Sequence, residues 1–492
     1  MSNKQAYVLG SGLGGIASAL RAKKKGFDVT LFEKNSQIGG RSRSFIKNGF
    51  YHDAGPTVIT APWLFEELFS LFNKDINDYV TIKPLDIWYR YIFWDGSSLD
   101  HCKDIDKTIS EINKFSKTDS KNYLKLLDAS EKIFNVGFTE LATVPFHNFF
   151  SMLKLLPRMI KLKSYLSVWD FVSKFLENDK IRRAFTIHPL LVGGNPFNTT
   201  SIYNLIHFLE RKWGIHFVMG GTAAMVKNLE KLMIEEGITI RKNTEITKIN
   251  LNDSKKSIKN IEINHKEKLS ADIYISNMDP SFLEKKMING SNNFLSGFKN
   301  KHSKFSMGLF VIYFGSKVKY EKIAHHTIIL SKRYKELLSD IFNGSKLPED
   351  FSLYLHRPTA TDPSLAPQGC DSFYVLSPVP NLKVANIDWK NLSENYAKKI
   401  LSFLGKDVMP GLMDNLDHFF GCPLMISRMT IILCTGPVFQ LHLFFINQHG
   451  LGITIKVSMI IYIKLVLVVT LVLVYPESFH QQKLLKNLFN GK

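Results

Sequence analysis

Glycines near the start of the chain have the spacing of a phosphate-binding loop. Residues 10–15 read G-S-G-L-G-G, which is the pattern G-x-G-x-x-G. Gly10 permits a tight turn, Gly12 lets the backbone approach a pyrophosphate, and Gly15 permits close packing of a helix on a strand. Glu33 lies where a carboxylate can accept hydrogen bonds from a ribose diol. The types and spacing of these residues predict a dinucleotide site.

The elements around this loop are those that must position it. Residues 6–9 are an apolar run that predicts a strand, and residues 16–25 favour a helix that ends at Gly26. Residues 27–32 predict a second strand, which ends at Glu33. A helix that begins at the loop directs its N–H groups and the positive end of its dipole toward phosphates. This order predicts an α/β fold with a Rossmann-like domain.

A second glycine motif follows the acidic residue. Residues 33–42 read E-K-N-S-Q-I-G-G-R-S. This run resembles the double-glycine motif of the FAD-dependent amine-oxidase and carotenoid-desaturase superfamily. The resemblance implies that FAD, and not a nicotinamide dinucleotide, is the tightly bound cofactor. It also implies that the backbone at Gly39 and Gly40 approaches the flavin diphosphate and that Arg41 adds a positive charge there.

A third motif narrows the resemblance. Residues 53–60, D-A-G-P-T-V-I-T, are similar to a signature of the bacterial-type phytoene desaturases. The resemblance implies a rigid bend at Gly55-Pro56 near the flavin ring. The cofactor-binding residues predicted from the three motifs are Gly10, Gly12, Gly14, Gly15, Glu33, Lys34, Gly40, Arg41, Gly55, Pro56 and Thr57.

The resemblance to the phytoene desaturases covers residues 5 to about 420. It includes residues 188–197, H-P-L-L-V-G-G-N-P-F, and residues 220–222, G-G-T, which in this family open a helix that returns to the flavin domain. It implies the desaturation of phytoene toward lycopene in carotenoid biosynthesis. Desaturation removes a hydride and a proton from adjacent carbon atoms. Because no side chain can accept a hydride, a cofactor such as FAD must do so.

No catalytic acid or base is assigned from the sequence. His188 precedes a proline in an apolar loop, and a histidine in such a setting is more often structural than catalytic. The sequence offers no serine–histidine–aspartate constellation. Its four cysteines lack the spacing of a metal site or of a disulfide framework, which favours a reducing compartment. We therefore predict no metal.

The motifs predict two domains between which the chain alternates. Residues 1–75 and 216–284 are expected to form the FAD-binding domain. Residues 76–215 are expected to be a helical region that binds substrate and associates with a membrane. Residues 285–420 are expected to supply the sheet of this inserted α+β substrate domain. Residues 421–492 form a tail that differs from the family.

The charge of the chain bears on its partners. Its 492 residues include 63 basic and 44 acidic residues, which give a formal net charge of +19 and favour anionic partners. No motif supports nucleic-acid binding. Residues 146–163 combine apolar bulk with basic residues, which suits an anionic membrane interface and equally a core helix with a basic edge. Because a membrane dissolves a carotenoid substrate, we expect a cytoplasmic enzyme bound peripherally to the inner face of the cell membrane. No oligomeric state is predicted.

The tail lacks the family's segment V-G-A-G-x-H-P-G-A-G-I-P-G-V-L-S-S-A-K, which completes the flavin site. Codons for V-G-A-G and P-G-A-G, read one nucleotide later, encode L-V-L-V, which occurs twice in residues 465–474. We therefore hypothesise a one-nucleotide frameshift near residues 419–424. The apolar run 457–475 is long enough to span a bilayer and would also suit a buried strand. Under this hypothesis it is a product of the frameshift.

Other functions remain as alternatives. A sister desaturase acting on a hydroxylated or shorter carotenoid would share every motif. Flavin-dependent amine oxidation fits residues 53–60 and 188–197 less well. If the tail is genuine and FAD is not held, the chain would be an inactive, membrane-anchored remnant.

Overall fold

The computed structural model describes residues 4–140, 157–252, 258–278, 283, 306–382, 384–424, 441–447 and 452–457. The amphipathic segment predicted at residues 146–163 lies outside this part up to residue 156, and the apolar run 457–475 lies outside it from residue 458 onward. Among the described residues, no helix has the length and apolar character needed to cross a membrane.

Strands and helices alternate along the chain. The strands are β1 (Gln5–Leu9), β2 (Asp28–Phe32), β3 (Ser44–Lys47), β4 (Phe50–Asp53), β5 (Ile82–Pro84), β6 (Ile87–Phe93), β7 (Ser98–Cys102), β8 (His216–Val218), β9 (Thr239–Arg241), β10 (Ile246–Leu251), β11 (Ile258–Ile263), β12 (Glu267–Leu269), β13 (Ile273–Ser276), β14 (Gly308–Ser316), β15 (His326–Leu330), β16 (Leu353–His356), β17 (Asp371–Val379), β18 (Leu416–Leu424), β19 (Leu441–Asn447) and β20 (Gly452–Val457). The helices are α1 (Leu13–Lys24), α2 (Trp63–Ser70), α3 (Ile105–Asn113), α4 (Lys117–Phe134), α5 (Val168–Val172), α6 (Asp179–Phe185), α7 (His188–Leu191), α8 (Leu205–Trp213), α9 (Thr222–Glu235), α10 (Tyr334–Asn343) and α11 (Trp389–Asp407).

A six-stranded sheet carries the glycine loop. Its strand order is β20-β19-β13-β1-β2-β9. The four strands from β13 to β9 are parallel. At the β13 edge, β19 pairs antiparallel with β13, and β20 pairs antiparallel with β19. From β1 the chain proceeds to β2 on one side and reaches β13 on the other. The crevice at the carboxyl ends of β1 and β13 is therefore a topological switch point, where α/β sheets bind ligands.

The first helix is held on this sheet by an apolar face. Ile16, Ala17 and Leu20 of α1 are fully buried, and burying a side chain as large as Ile or Leu contributes roughly 1.5–3 kcal/mol. The helix begins at Leu13, three residues before the predicted start, because the loop itself supplies the first turn. Gly26 follows its end with a φ of +86°, which confirms the predicted stop.

A seven-stranded sheet forms the second layer, in the order β18-β14-β17-β16-β15-β6-β7. Residues 308–316 form its strand β14 and alternate between its two faces. Phe310, Ile312 and Phe314 pack with buried residues of α11. Tyr313 lies in a separate cluster with Tyr374, so this other face is available to contact the glycine motifs.

The structure corrects two details of the predicted elements. The region 76–215 was expected to be helical, yet it contains β5, β6 and β7. The run I-W-Y-R-Y-I-F of β6 is aromatic and β-branched, which favours a strand. The alternation of polar and apolar residues over 238–249 favours one continuous strand, but the segment forms β9 and β10, which belong to different sheets. Asn243 between them has a φ of +51°, which interrupts the extended backbone. The predicted α/β class with a Rossmann-like sheet is confirmed.

Candidate functional site

The glycine loop joins β1 to α1 in the geometry that its spacing predicts. Gly10 has a φ of +95°, and its N–H donates to the carbonyl of Phe32 at 2.9 Å. A Cβ on Gly15 would lie 2.0 Å from the carbonyl oxygen of Gly10, so only glycine allows the helix to approach the turn this closely. Gly12 immediately precedes the helix, and no side chain caps it.

Glu33 lies at the end of β2 and is 5% exposed. Its Oε2 accepts hydrogen bonds from the backbone N–H and the hydroxyl of Ser11. Its Oε1 accepts from the backbone and side-chain nitrogen atoms of Asn35. A carboxylate has about four acceptor positions, so these donors fill them. A ribose diol can therefore bond to Glu33 only if the side chain of Ser11 or Asn35 turns away.

Asn277, the first residue after β13, is a site residue that the motifs did not indicate. Its backbone N–H donates to the carbonyl of Leu9 at 3.0 Å. A Cβ on Gly12 would lie 2.5 Å from its Oδ1, and a Cβ on Gly14 would lie 2.4 Å from its Nδ2. The amide side chain thus lies directly on the loop. Only the parallel pairing of β1 with β13 brings these distant residues together.

The second glycine motif packs on the first loop. The N–H of Gly39 donates to the carbonyl of Ser11 at 2.9 Å. Gly40 has a φ of +58°, and a Cβ there would lie 3.1 Å from the Cα of Gly12. The two motifs therefore meet backbone to backbone. Lys34 and Arg41, by contrast, are exposed.

The third motif joins the two sheets. A Cβ on Gly55 would lie 2.2 Å from the carbonyl oxygen of Arg41, so this turn contacts the double-glycine segment closely. The hydroxyl of Thr57 shares hydrogen bonds with the hydroxyls of Tyr374 at 2.7 Å and Tyr354 at 3.2 Å. Both tyrosines belong to the seven-stranded sheet. Burial raises the pKa of Tyr354 to about 12, so its hydroxyl stays protonated at neutral pH.

Asp53 and Pro56 attach this turn to the start of α9. The N–H of Thr222 donates to Asp53 Oδ1 at 3.0 Å, and the Thr222 hydroxyl donates to the carbonyl of Pro56 at 2.9 Å. The predicted helix at the G-G-T motif thus begins at Thr222. Burial raises the pKa of Asp53 to about 7, although hydrogen bonds from the helix N-terminus oppose this shift.

His188 is fully buried at the start of α7. Its Nε2 is 3.0 Å from Oε2 of Glu210, and Glu210 Oε1 accepts a hydrogen bond from Tyr89. Glu210 and Tyr89 are also fully buried. This geometry gives His188 a structural part in the interior, as its setting before a proline suggests.

The residues in the crevice fit FAD. The first turn of α1 has no acidic residue and no side-chain cap, so its N–H groups and dipole are free to receive a diphosphate. Glycines at 12, 14 and 40 carry no side chain of their own, which allows the loop, Asn277 and the second glycine motif to pack closely. The turn at residues 55–57 then places buried hydroxyls beside the double-glycine segment.

Comparison with known proteins agrees with this geometry. The model of the family described as flavin containing amine oxidoreductase matches residues 13–304. A lycopene-forming phytoene desaturase from Pseudescherichia vulneris is 40% identical over 417 residues, which cover 84% of each chain. A neurosporene-forming phytoene desaturase from Rhodobacter capsulatus is 34% identical and is matched over 84% of this chain and 79% of its own length. Cyclohexylamine oxidase from Brevibacterium oxydans shares the fold, with a TM-score of 0.56, 14% identity and coverage of 92% of this chain and 89% of its own.

A glycine loop at a switch point, with a second glycine pair packed on it, defines a dinucleotide-binding flavoprotein of the oxidoreductase class. The chain belongs to the flavin-containing amine oxidoreductase family and, within it, to the bacterial-type phytoene desaturases. Its cofactor is FAD.

Proposed function

We propose that this chain is an FAD-dependent desaturase that introduces double bonds into phytoene on the way to lycopene. The observation that carries the proposal is the convergence of three glycine motifs on one crevice, in a chain 40% identical to a lycopene-forming phytoene desaturase. We assign cofactor binding to the residues predicted from those motifs. Asn277 and Ser11 join them because both contact the loop.

The chain's own residues hold the cofactor and keep water out. FAD, when bound, supplies the hydride acceptor that CH–CH desaturation needs. Glycine at positions 12 and 40 lets the two glycine segments and Asn277 approach one another closely. The buried hydroxyls of Thr57, Tyr354 and Tyr374 are satisfied by one another, so they add polarity without holding bulk water. No residue is assigned as the acid or base.

The direct test is incubation of the FAD-loaded protein with phytoene in liposomes in air and with an added quinone, which reoxidise the reduced flavin, followed by identification of the pigments. We expect phytoene to be consumed and lycopene to accumulate. Unchanged phytoene, in the presence of protein that holds FAD, would overturn the proposal.

The number of desaturation steps is a separate part of the proposal. One relative of this chain is a lycopene-forming phytoene desaturase, and another is a neurosporene-forming one. The product of this chain therefore has to be determined. We favour lycopene because the lycopene-forming relative is the more similar of the two. Accumulation of neurosporene alone would support the other product. Conversion of a hydroxylated or shorter carotenoid, without conversion of phytoene, would support the sister desaturase.

We also propose the division of the chain into an FAD-binding domain (residues 1–75 and 216–284) and a substrate domain (residues 76–215 and 285–420). Its support is the separation of the parallel sheet from the seven-stranded sheet. Tyr313 and Thr57 connect the two layers, since the Tyr313 hydroxyl donates to the carbonyl of Ala54 at 3.3 Å.

Peripheral binding to the inner face of the cell membrane is a further proposal, and residues 157–165 support it. Ile160 is 56% exposed and Tyr165 is 72% exposed. Lys161 and Lys163 are exposed beside them. Exposed apolar groups next to lysines suit the interface of an anionic bilayer, where each basic residue contributes about 1 kcal/mol.

Cosedimentation with vesicles tests this surface. We expect binding to phosphatidylglycerol vesicles to exceed binding to phosphatidylcholine vesicles, and the double variant Ile160→Glu/Tyr165→Glu to lose most of it. Ile234→Glu is the matched control, since Ile234 is 61% exposed on α9. Equal loss in the control variant, or no binding by the wild type, would contradict this membrane surface.

The frameshift near residues 419–424 is likewise proposed. The match to the lycopene-forming relative leaves 16% of each chain outside it. β18 pairs with β14 through Leu424, and β19 and β20 lie at the sheet edge beside β13. Resequencing of the gene, together with mass spectrometry of peptides from residues 425–492, decides between a frameshift and a genuine tail. Confirmed tail peptides from an intact reading frame would refute the frameshift and favour the membrane-anchored remnant if FAD were also absent.

A further inference from the structure

Three buried histidines meet in the seven-stranded sheet. His326 begins β15 and is paired in register with His356 at the end of β16, and His325 precedes β15. Their ring centroids are 4.5–5.3 Å apart. One nitrogen atom from each ring lies within 4.8 Å of the others. The three side chains are 0–5% exposed.

Two of these rings are oriented by hydroxyl groups on one nitrogen. His325 Nδ1 is 2.7 Å from the hydroxyl of Thr361, and His326 Nδ1 is 2.7 Å from the hydroxyl of Tyr354. The Nε2 atoms of both histidines have no partner among the described residues, and neither nitrogen of His356 has a side-chain partner there, although the backbone of His325 lies close to its ring. Histidines that bind a metal are held in this manner, because the second ring nitrogen is fixed by a polar group.

The unpartnered nitrogens need a ligand on energetic grounds. A buried polar atom without a hydrogen bond costs about 1–3 kcal/mol, and the cluster holds four such atoms. A neutral imidazole carries a free lone pair on one of its two ring nitrogens. A metal ion would accept a lone pair from every ring at once.

The charges nearby permit a cation. Arg357 follows His356 in the chain, and its guanidinium is paired with the buried carboxylate of Asp371. Arg357 Nε donates to Asp371 Oδ2 at 2.9 Å. The nearest fixed positive charge is therefore compensated.

We propose that His325, His326 and His356 bind one divalent transition-metal ion, with Zn²⁺ as the first candidate. Three imidazoles without a carboxylate or thiolate suit Zn²⁺ and similar ions and exclude Mg²⁺ and Ca²⁺, which take oxygen ligands. Three protein ligands leave the fourth position of a tetrahedral ion open. The prediction of no metal rests on the spacing of the cysteines. This site contains no cysteine, and strand pairing brings His356 to His325 and His326.

The site is connected to the flavin-binding turn. The Tyr354 hydroxyl that holds His326 also shares a hydrogen bond with Thr57. A metal here would therefore fix the strand that supports residues 53–57. The proposal does not depend on the substrate, since metal binding is measured without desaturation.

Metal titration of the FAD-loaded full chain tests the proposal. The protein is freed of metal with a chelator and titrated with Zn²⁺, and with Co²⁺ because its visible absorption reports imidazole ligands. We expect one ion per chain and a higher unfolding temperature with Zn²⁺. His326→Gln and His356→Gln should abolish binding. Absence of binding by the wild type, or unchanged binding by these variants, would overturn the proposal.

A gentler pair of variants keeps the test valid if a histidine variant does not fold. Thr361→Val removes only the hydroxyl that orients His325, and it should weaken metal binding by about 10- to 100-fold. Thr327→Val is the matched control on β15, next to His326, because the Thr327 hydroxyl donates to the carbonyl of Ala324 and not to a histidine. Equal affinity in the two threonine variants would refute the assigned ligands.

Discussion

Replacing Gly15 by alanine tests the geometry of the glycine loop. The added Cβ would lie 2.0 Å from the carbonyl oxygen of Gly10, whereas ordinary contact begins at 3.4 Å. The helix and the turn must therefore separate by about 1.4 Å, the difference between these two distances. Overpacking of this kind costs roughly 1–3 kcal/mol. Without FAD the loop can relax to relieve the overlap, but the bound diphosphate requires the original loop.

The strain should therefore appear in the affinity for FAD. A cost of about 2 kcal/mol corresponds to roughly 30-fold weaker binding. The assay is titration of the apoprotein with FAD, followed by quenching of flavin fluorescence, with circular dichroism to confirm folding. Gly405→Ala in α11 is the matched control, because its Cβ would meet nothing closer than 3.5 Å. The control should gain about 0.5–1 kcal/mol of stability and bind FAD like the wild type. Wild-type affinity in Gly15→Ala would refute the assignment of this loop to the cofactor.

Other variants probe the buried polar groups around the site. Burial raises the pKa of Asp53 from 3.8 to about 7, so the folded state binds this proton more tightly, and its contribution to stability is lost as the pH rises through 7. Between pH 5 and 8, urea unfolding should show the wild type losing about 2–3 kcal/mol relative to Asp53→Asn, and parallel pH profiles would contradict the shift. Thr57→Val should cost about 1–3 kcal/mol by removing the hydrogen bonds that the Thr57 hydroxyl shares with Tyr374 and Tyr354, and the double variant with Tyr374→Phe should recover part of that loss. Arg357→Met should lower the free energy of unfolding, measured with urea, by about 3–5 kcal/mol, because the carboxylate of Asp371 stays buried without its charged partner. A loss below about 1 kcal/mol would count against this ion pair.

The glycine loop was predictable because its constraints are local. Gly10 and Gly15 lie five positions apart, and the strand and helix that flank them have clear apolar patterns. The backbone contacts of these glycines leave little choice of residue. The fold class followed from the same short segment, since strand, loop, helix and strand specify a parallel pairing of β1 and β2.

The remainder of the site depends on contacts between distant parts of the chain. Asn277 reaches the loop only through the pairing of β13 with β1. The partners of Thr57 come from β16 and β17, about 300 positions later, and no periodicity in the sequence signals them. The three histidines were missed for the same reason. Glu33 was found at its expected position, but its hydrogen bonds to Ser11 and Asn35 depend on the exact path of two loops.

One measurement tests the central claim most directly. FAD-loaded protein is mixed with phytoene in liposomes without oxygen, and the flavin spectrum and the carotenoid products are recorded together. If this chain passes the hydride from phytoene to FAD, the absorption of oxidised flavin should fall as that of the conjugated polyene rises. Flavin that stays oxidised beside unchanged phytoene would contradict the claim.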